Sequence, residues 1–556
     1  MRSIIDRDIA RLKESIRVLK SRRNELSPIS CLPVEILCNI FSLTEENDSF
    51  RFRRSPESWT NFSQVSQHWR SSALSAPQLW TNIPLTYPRW TQEMLIRSKM
   101  AKLTIRSGIF FDTSNPKAIE TVRSCLCEMN RVGELKLNTT PGLNLEKYFR
   151  DLPKSAPQLH TLCISNTSGF PFFSIDEDFL YDTERLRRVE LINCKIGWDS
   201  RLLTGLTRLH LEDSLKADSS IIQFFHALQQ MPALTDLHLK DSIPDSEGLT
   251  TYPVVSLPCL RVLYISSGVG ALTTVLRHIT IPNSAILHLT CRENRSTQID
   301  FSNFLSVLVT KFLSSLVIQS LGLRLLNDPL LDDDNETQGL EFNLWTTPII
   351  QDFGSSQSQR QIVIQDFESS QFQIQLVMTW PSPQPHNYVK ALTCAFDAMS
   401  LPFLTQLHIS TLDYIDSQIW VETFGKLPHL RRVSVQGSTS SSFLEALAYK
   451  TKAAEKSKTA HCNVSFPKLL FIDLEGTFNS RDPRSISVDM LLDCLMERCE
   501  RKAAVQVLRL CCCYNTRSDD VERLKEIVVN VIWDGILIGV SKENRDSDSS
   551  SSSEEL

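Results

Sequence analysis

Pro157-Gln158-Leu159-His160-Thr161-Leu162-Cys163-Ile164 is one copy of a pattern that returns along the whole chain. Close copies begin at Pro232, Pro258, Pro402, Pro428 and Pro467, each reading Pro-x-Leu-x-x-Leu/Val/Ile-x-Leu/Val/Ile. The same apolar triplet without its proline stands at Met100/Leu103/Ile105, Val132/Leu135/Leu137, Leu186/Val189/Leu191, Leu206/Leu209/Leu211, Ile318/Leu321/Leu323 and Val505/Leu508/Leu510. It recurs in degraded form at Ser284/Leu287/Leu289. The last two members are two residues apart, so on an extended chain both point to one face. The member three before them turns the chain inward, and a proline ahead of it stops the preceding helix. Thirteen copies in order predict a series of short strands sharing one core.

Two residues beyond the predicted strands a small or polar residue recurs: Thr140, Thr167, Cys194, Ser214, Ser242, Thr477 and Cys513. This resembles leucine-rich repeats, which set Asn, Cys or Thr there to hydrogen-bond the backbone of the turn. Central positions are mostly 24 to 28 residues apart, with gaps of 32 to 39 elsewhere. Units of that length have room for a helix on the far side, for example over Ile221–Leu228. The resemblance implies an α/β fold: an irregular leucine-rich-repeat horseshoe, a strand–helix solenoid of the kind found in F-box and ribonuclease-inhibitor-like proteins.

Composition sets the outer bounds. Division of 556 residues gives three or four domains unless one is a long repeat array. With 42% apolar and 22% charged residues, the chain has ample material for a core. The balance of 59 basic against 64 acidic residues gives a net charge of −5, with no global attraction to nucleic acid or an anionic membrane. Fifteen irregularly spaced cysteines read as reduced thiols in a cytoplasmic or nuclear setting. The charged start Met1–Arg7 does not read as a signal peptide, and the apolar stretch Phe301–Leu325 is broken by Lys311 and Arg324.

Near the N-terminus Ile5, Ile9, Leu12, Ile16, Leu19 and Leu26 recur at alternating steps of four and three, with Arg23 at the broken position. That is a narrow heptad stripe on one helix. It has two readings: packing against its own domain, or a weak homodimer through residues 5–26, since three heptads are near the lower limit for pairing. Pro28 ends the helix.

Ser30-Cys31-Leu32-Pro33-Val34-Glu35-Ile36-Leu37-Cys38-Asn39-Ile40-Phe41 follows. Pro33 suits a first helical turn, where no partner is needed for the missing N–H. Ile36, Leu37, Ile40 and Phe41 then form a wide apolar face. Trp59, Phe62, Val65 and Trp69 step by three, three and four, predicting a second helix that Ala73, Leu74, Leu79 and Trp80 continue. These short helices carry more apolar surface than they can bury among themselves, which points to a partner.

This stretch resembles the F-box family. Leu32, Pro33, Glu35, Ile36, Leu37, Ile40 and Phe41 match the family's opening signature, and Val65, Ser66, Trp69 and Arg70 match its second half. Leu74–Trp80 and the heptad helix are similar to the fungal branch. Ser66 stands where many members carry Cys, and the connection from Phe41 to Val65, with Arg51–Arg54, is longer than usual. The resemblance implies docking to the Skp adaptor of cullin–RING ubiquitin ligases. Leu32 and Pro33 would anchor in the adaptor, with Ile36, Leu37, Ile40 and Phe41 divided between docking and an internal core, and Val65 and Trp69 completing the set.

The predicted organisation is therefore a helix over 1–27, a helical module over 28–85, repeats over 86–541 with an insertion at 327–400, and a tail over 542–556. The insertion holds the acidic run Asp332–Glu336 and a tandem. Ile350-Gln351-Asp352-Phe353 and Ile364-Gln365-Asp366-Phe367 each lead fourteen residues, ten of them identical between the copies. It is expected to form paired strands at the repeat edge. Lys450–Ala460 reads as a polar excursion, and Lys542–Leu556, rich in serine and acid, cannot bury a core.

No catalytic constellation emerges. The chain lacks a phosphate-cradling glycine loop, a Gly-x-Ser-x-Gly and a His-Glu-x-x-His. His160, His210, His238, His288 and His408 each adjoin a triplet's central residue, which predicts solvated positions on the opposite strand face. Cys125, Cys127, Cys494, Cys499 and Cys511–Cys513 lack the paired spacing of a zinc site. The sequence thus predicts no catalytic, metal or cofactor site. It favours a substrate-recruiting adaptor that binds the Skp adaptor and an unspecified target protein, with neither nucleic acid nor membrane as partner. The alternative is a repeat scaffold acting without the ligase.

Overall fold

All thirteen triplets lie on strands. The computed structural model describes residues 2–49, 59–85, 87–107, 116–139, 153–166, 173–176, 179–245, 251–293, 300–326, 338–348, 372–381, 385–410, 415–437, 439–448, 465–477 and 487–536. Thr140, Thr167, Arg51–Arg54, the side chain of Trp59, Asp332–Glu336, the first tandem copy, Lys450–Ala460 and the 542–556 tail lie outside the described residues. The fold is mixed α/β, a small N-terminal helical region and extensive parallel sheet, in two compact units, Met1–Asp236 and Leu237–Leu556.

In the first unit, helices α1 (Arg2–Glu25), α2 (Val34–Ser49) and α3 (Gln67–Ser75) precede the strands. Strands β1 (Asn82–Pro84), β2 (Leu103–Arg106), β3 (Val132–Thr139), β4 (Thr161–Asn166), β6 (Arg188–Ile192) and β8 (Arg208–Glu212) pair in parallel, each with the next. A side pair joins β5 (Phe173–Ile175) to β7 (Cys194–Ile196). Their register aligns Leu135, Leu162, Val189 and Leu209 across successive rungs, and Leu137, Ile164, Leu191 and Leu211 beside them. All eight are buried, so a one-residue slip would turn a whole row outward. The helix expected near Ile221 is present as α6 (Ile221–Gln229), closed by a Ser220–Gln223 capping box. It follows α4 (Pro88–Arg97) and α5 (Pro116–Leu126).

Five of the described turns leaving the strands share one design. Asn193, Asp213, Asp241, Gly476 and Cys512 take positive φ, and the residue after each is buried. In the first unit Cys194 lies within reach of the Ile164 and Ile192 carbonyls, and Ser214 Oγ donates toward those of Leu191 and Glu212 at 2.9 and 2.7 Å. At the strand entrances one carbonyl accepts two N–H groups. His160 O receives those of Arg187 and Arg188, both at 3.0 Å.

In the second unit β9 (Asp236–Lys240), β11 (Val262–Gly268) and β13 (Ile286–Arg292) continue the same pattern, with a short side pair of β10 (Val255–Ser256) and β12 (Ile279–Thr280). The insertion changes it. β14 (Ser320–Leu326), β15 (Gln338–Trp345) and β16 (Ile374–Trp380) form an antiparallel meander. Its far strand, β16, pairs with β13 in parallel, while β14 pairs with β17 (Gln406–Ser410). Of the tandem expected to form paired strands, only residues 372–377 are described, and Ile374 onward lies on β16 inside the sheet. Leu323, Phe342 and Leu376 align across the meander, so its apolar face joins the same core. Beyond it β18 (Arg432–Gln436), β19 (Phe471–Glu475), β20 (Val507–Cys511) and β21 (Asn530–Trp533) add parallel rungs.

Behind this sheet lie α7 (Val269–His278), α8 (Ser302–Leu308), α9 (Pro385–Ala398), α10 (Ser417–Ile419), α11 (Thr439–Ala448), α12 (Val488–Glu500) and α13 (Ser518–Lys525). Among the described residues no helix is long and apolar enough to cross a membrane. Cations from one unit of structure close the end of the one before. Lys311 Nζ donates to the carbonyls of Leu276, Arg277 and Ile279 at the C-terminus of α7, where the helix dipole favours positive charge. Arg131 does the same for α4 through Leu95 and Ala101. Arg498, 1% exposed, donates to the carbonyls of Ser465 and Phe466 at 2.8 and 2.9 Å. Phe466 has φ +58°, a strained value for a bulky residue, and Arg498 holds it there.

The strand histidines are less solvated than their positions suggest. His238 stacks on Tyr264 at 3.9 Å, and His288 Nδ1 lies 3.0 Å from Gln375 Oε1. His408 is buried, its Nδ1 3.0 Å from Ser434 Oγ. Burial, aided by the Arg432 charge, pushes the His408 pKa down to about 4. The cause is local: its neighbour on β14 is Gly322, over which the Trp345 ring closes, so the imidazole lies under side chains and not in water.

Two predictions follow from these buried groups. Above about pH 6.5 His408 is neutral in both folded and unfolded chains; as pH falls, the unfolded state takes up the proton first. Urea unfolding should therefore show about 2 kcal/mol less stability at about pH 5 than at about pH 7 from this group, and His408→Gln should remove that share of the slope. Arg498→Met should cost about 2–5 kcal/mol at neutral pH by orphaning two buried carbonyls, as measured by the same unfolding.

Candidate functional site

The helical module ahead of the first strand is built around Phe41. Leu37, Cys38 and Phe41 line the inner face of α2 and are buried, while Glu35 and Ile36 face out and Ile40 lies between. Phe41 stacks on Phe62 at 4.2 Å with rings 9° apart and meets Trp69 at 5.2 Å. Leu37 and Phe41 thus lie on the core side of the expected division between docking and internal core. Pro33 stands just ahead of the first helical residue, and its carbonyl accepts from Leu37 N at 3.1 Å.

The second helix is not continuous. Trp59–Gln64 forms a 3₁₀ turn, the chain extends at Ser66, and α3 starts at Gln67. Ser66 explains the break: its side chain accepts from Trp69 N at 3.1 Å as an N-cap. A hydroxyl at this position terminates one element and starts the next. Trp80, 1% exposed, donates Nε1–H to Ala73 O at 2.8 Å, and the Arg97 guanidinium lies 4.4 Å over its ring. Ile83 on β1 follows at once, buried against β2, so the module is joined firmly to the first rung of its own unit.

Several apolar side chains remain outside. Ile36 is 45% and Val65 55% exposed, and Ile29, Val34 and Leu43 are exposed with them. Leu32 is half-buried and Pro33 exposed beside this set. Ile29, Val34 and Leu43 escaped the sequence reading; Leu43 follows Ile36 and Ile40 at helical spacing and could have been found by extending that stripe. Exposed apolar side chains of this number, with Glu35 among them, suit a protein partner.

Among the described residues no three candidate ligands gather around these cysteines. Cys125 is buried while Cys127 is exposed, and the same contrast separates Cys494 from Cys499. Cys513 occupies a strand-exit turn, Sγ 3.2 Å from Thr477 Oγ1. Burial pushes the thiols of Cys494 and Cys513 up to about 11, away from the thiolate form that a metal takes.

The two faces of α2 should separate in stability measurements. Leu37→Ala should cost about 2–5 kcal/mol, whereas Ile36→Ala should change stability by no more than about 0.5 kcal/mol, both read from denaturant unfolding.

No curated protein matches the chain. The F-box-like family model matches residues 29–86, the span from the 3₁₀ turn before α2 to the end of β1. F-box domains bind the Skp adaptor of cullin–RING ligases and their proteins are typically non-catalytic adaptors, so this F-box-like domain supports an F-box protein with, in general, an adaptor role.

Proposed function

We propose that the protein is a substrate-recruiting subunit of an SCF-type ubiquitin ligase. It docks the Skp adaptor through Leu32, Pro33, Glu35, Ile36 and Val65, with Ile40 and Trp69 at the margin, and offers its strand-rich region to a target protein. The observation that carries this reading is the set of exposed apolar side chains, Ile29, Val34, Ile36, Leu43 and Val65, on a module whose own core is already filled by Leu37, Phe41 and Phe62.

In this reading residues 86–541 are an irregular leucine-rich-repeat solenoid of the fungal F-box type. The in-register parallel rungs and the buried small residues at the strand exits support it. The domain division is 1–27, 28–85, 86–541 and 542–556. The described cysteines are free thiols, which suits a reducing compartment, cytoplasm or nucleus. The chain performs no chemistry itself: it holds a target near the ubiquitin-charged enzyme, and proximity supplies the rate.

Co-purification with the Skp adaptor tests the proposal. Wild type should bind stoichiometrically, and the Leu32→Ala, Pro33→Ala double variant should lose at least about 2 kcal/mol, roughly thirtyfold in affinity, with its fold unchanged. A folded wild type that ignores the adaptor would sink the ligase reading and leave a binding scaffold in its place.

A further inference from the structure

Helix α1 buries none of its 24 residues. Its stripe of Ile5, Ile9, Leu12, Ile16 and Leu19 is exposed throughout, Leu12 and Leu19 to 64%. Among the described residues its main neighbour is the 3₁₀ turn that follows it, where Ser30 Oγ donates to Asn24 O at 2.7 Å. Packing at home therefore leaves the stripe unaccounted for among the described residues. We propose that α1 pairs with α1 of a second copy of this chain as a parallel, two-stranded coiled coil.

The steps of four and three put Ile9 and Ile16 at one core position of the heptad and Ile5, Leu12, Leu19 and Leu26 at the other. Isoleucine at the first with leucine at the second favours two parallel strands. The flanking charges select the orientation. In a parallel pair Asp8 of one helix faces Lys13 of the second copy, an attraction that symmetry makes twice. In an antiparallel pair Lys13 would face Lys20 of the second copy, a repulsion also made twice.

Arg23 takes the next isoleucine-type core position. A cation there lowers stability and fixes the register, as polar core residues do in short coiled coils. With three heptads the pairing is concentration-dependent. Parallel helices end together, so both chains leave at Pro28 from the same end and two F-box-like domains emerge side by side. The pairing does not depend on adaptor docking, because its stripe lies on α1 and the docking face on α2 and the turns around it.

Sedimentation equilibrium of the full chain across about 1–100 µM tests this. The mass should rise from 63.3 kDa toward twice that value. Leu12→Asp with Ile16→Asp should hold it at 63.3 kDa while leaving adaptor binding intact. Lys13→Asp should weaken association about fivefold at low salt, and Asp8→Lys added to it should restore wild-type association. A wild-type mass constant at 63.3 kDa would overturn the proposal. So would self-association that survives the double aspartate variant, or a Lys13→Asp chain that associates more tightly, as antiparallel pairing would require.

Discussion

A parallel strand can be left only past its end, so each rung of this fold depends on a turn that takes the chain out of the sheet without stranding a carbonyl. The residues after the strands meet that demand. Asn193, Asp213, Asp241 and Gly476 accept the left-handed conformation at little cost. The side chain that follows then satisfies backbone oxygens inside the core, as Ser242 does for Lys240 at 2.8 Å. Cys512 is the exception in type, and Asp534 offsets it by accepting from Cys512 N at 2.7 Å. With the exits fixed, the register that buries Leu135, Leu162, Val189 and Leu209 in one row follows.

Cations serve the same end on the helical side. A helix ends with carbonyls that lack intrahelical partners. Arg131 and Lys311 each supply several donors to such an end from a single side chain, and the buried Arg498 does the same for the turn at Ser465 and Phe466. Desolvation lowers the pKa of Lys311 and Arg498. None of the three stands out in sequence, where a lone basic residue in an apolar stretch reads as a solvated position.

The strands were legible because a triplet with period two survives even where its proline is lost. β1, β15 and β21 carry no such triplet and went unseen, since Ile83, Phe342 and Val531 are recruited by their neighbours' register and not by a pattern of their own. In the F-box-like domain the two stripes of α2 were visible together, but which of them faces inward is decided by Phe62 and Trp69, far along the chain. In sequence Ser66 matches the motif's second half at a position where many members carry Cys; its role as a cap rests on the geometry of Trp69 N. His408 shows the limit most plainly, since its burial depends on a glycine 86 positions earlier and on Trp345.

The meander in the second unit has a further consequence for the order of assembly. In a simple repeat array each rung pairs with the next one made, so structure can grow from the N-terminus as synthesis proceeds. Here β13 has its outer neighbour in β16, and the contact between His288 and Gln375 spans 87 residues. Until those later residues leave the ribosome, β13 presents an open edge of unpaired N–H and C=O groups. Helix α8, between β13 and β14, and helix α9, between β16 and β17, pack on each other. The second unit is therefore closed from its middle, and its nascent chain should depend on chaperones over that interval more than a plain array of equal length would.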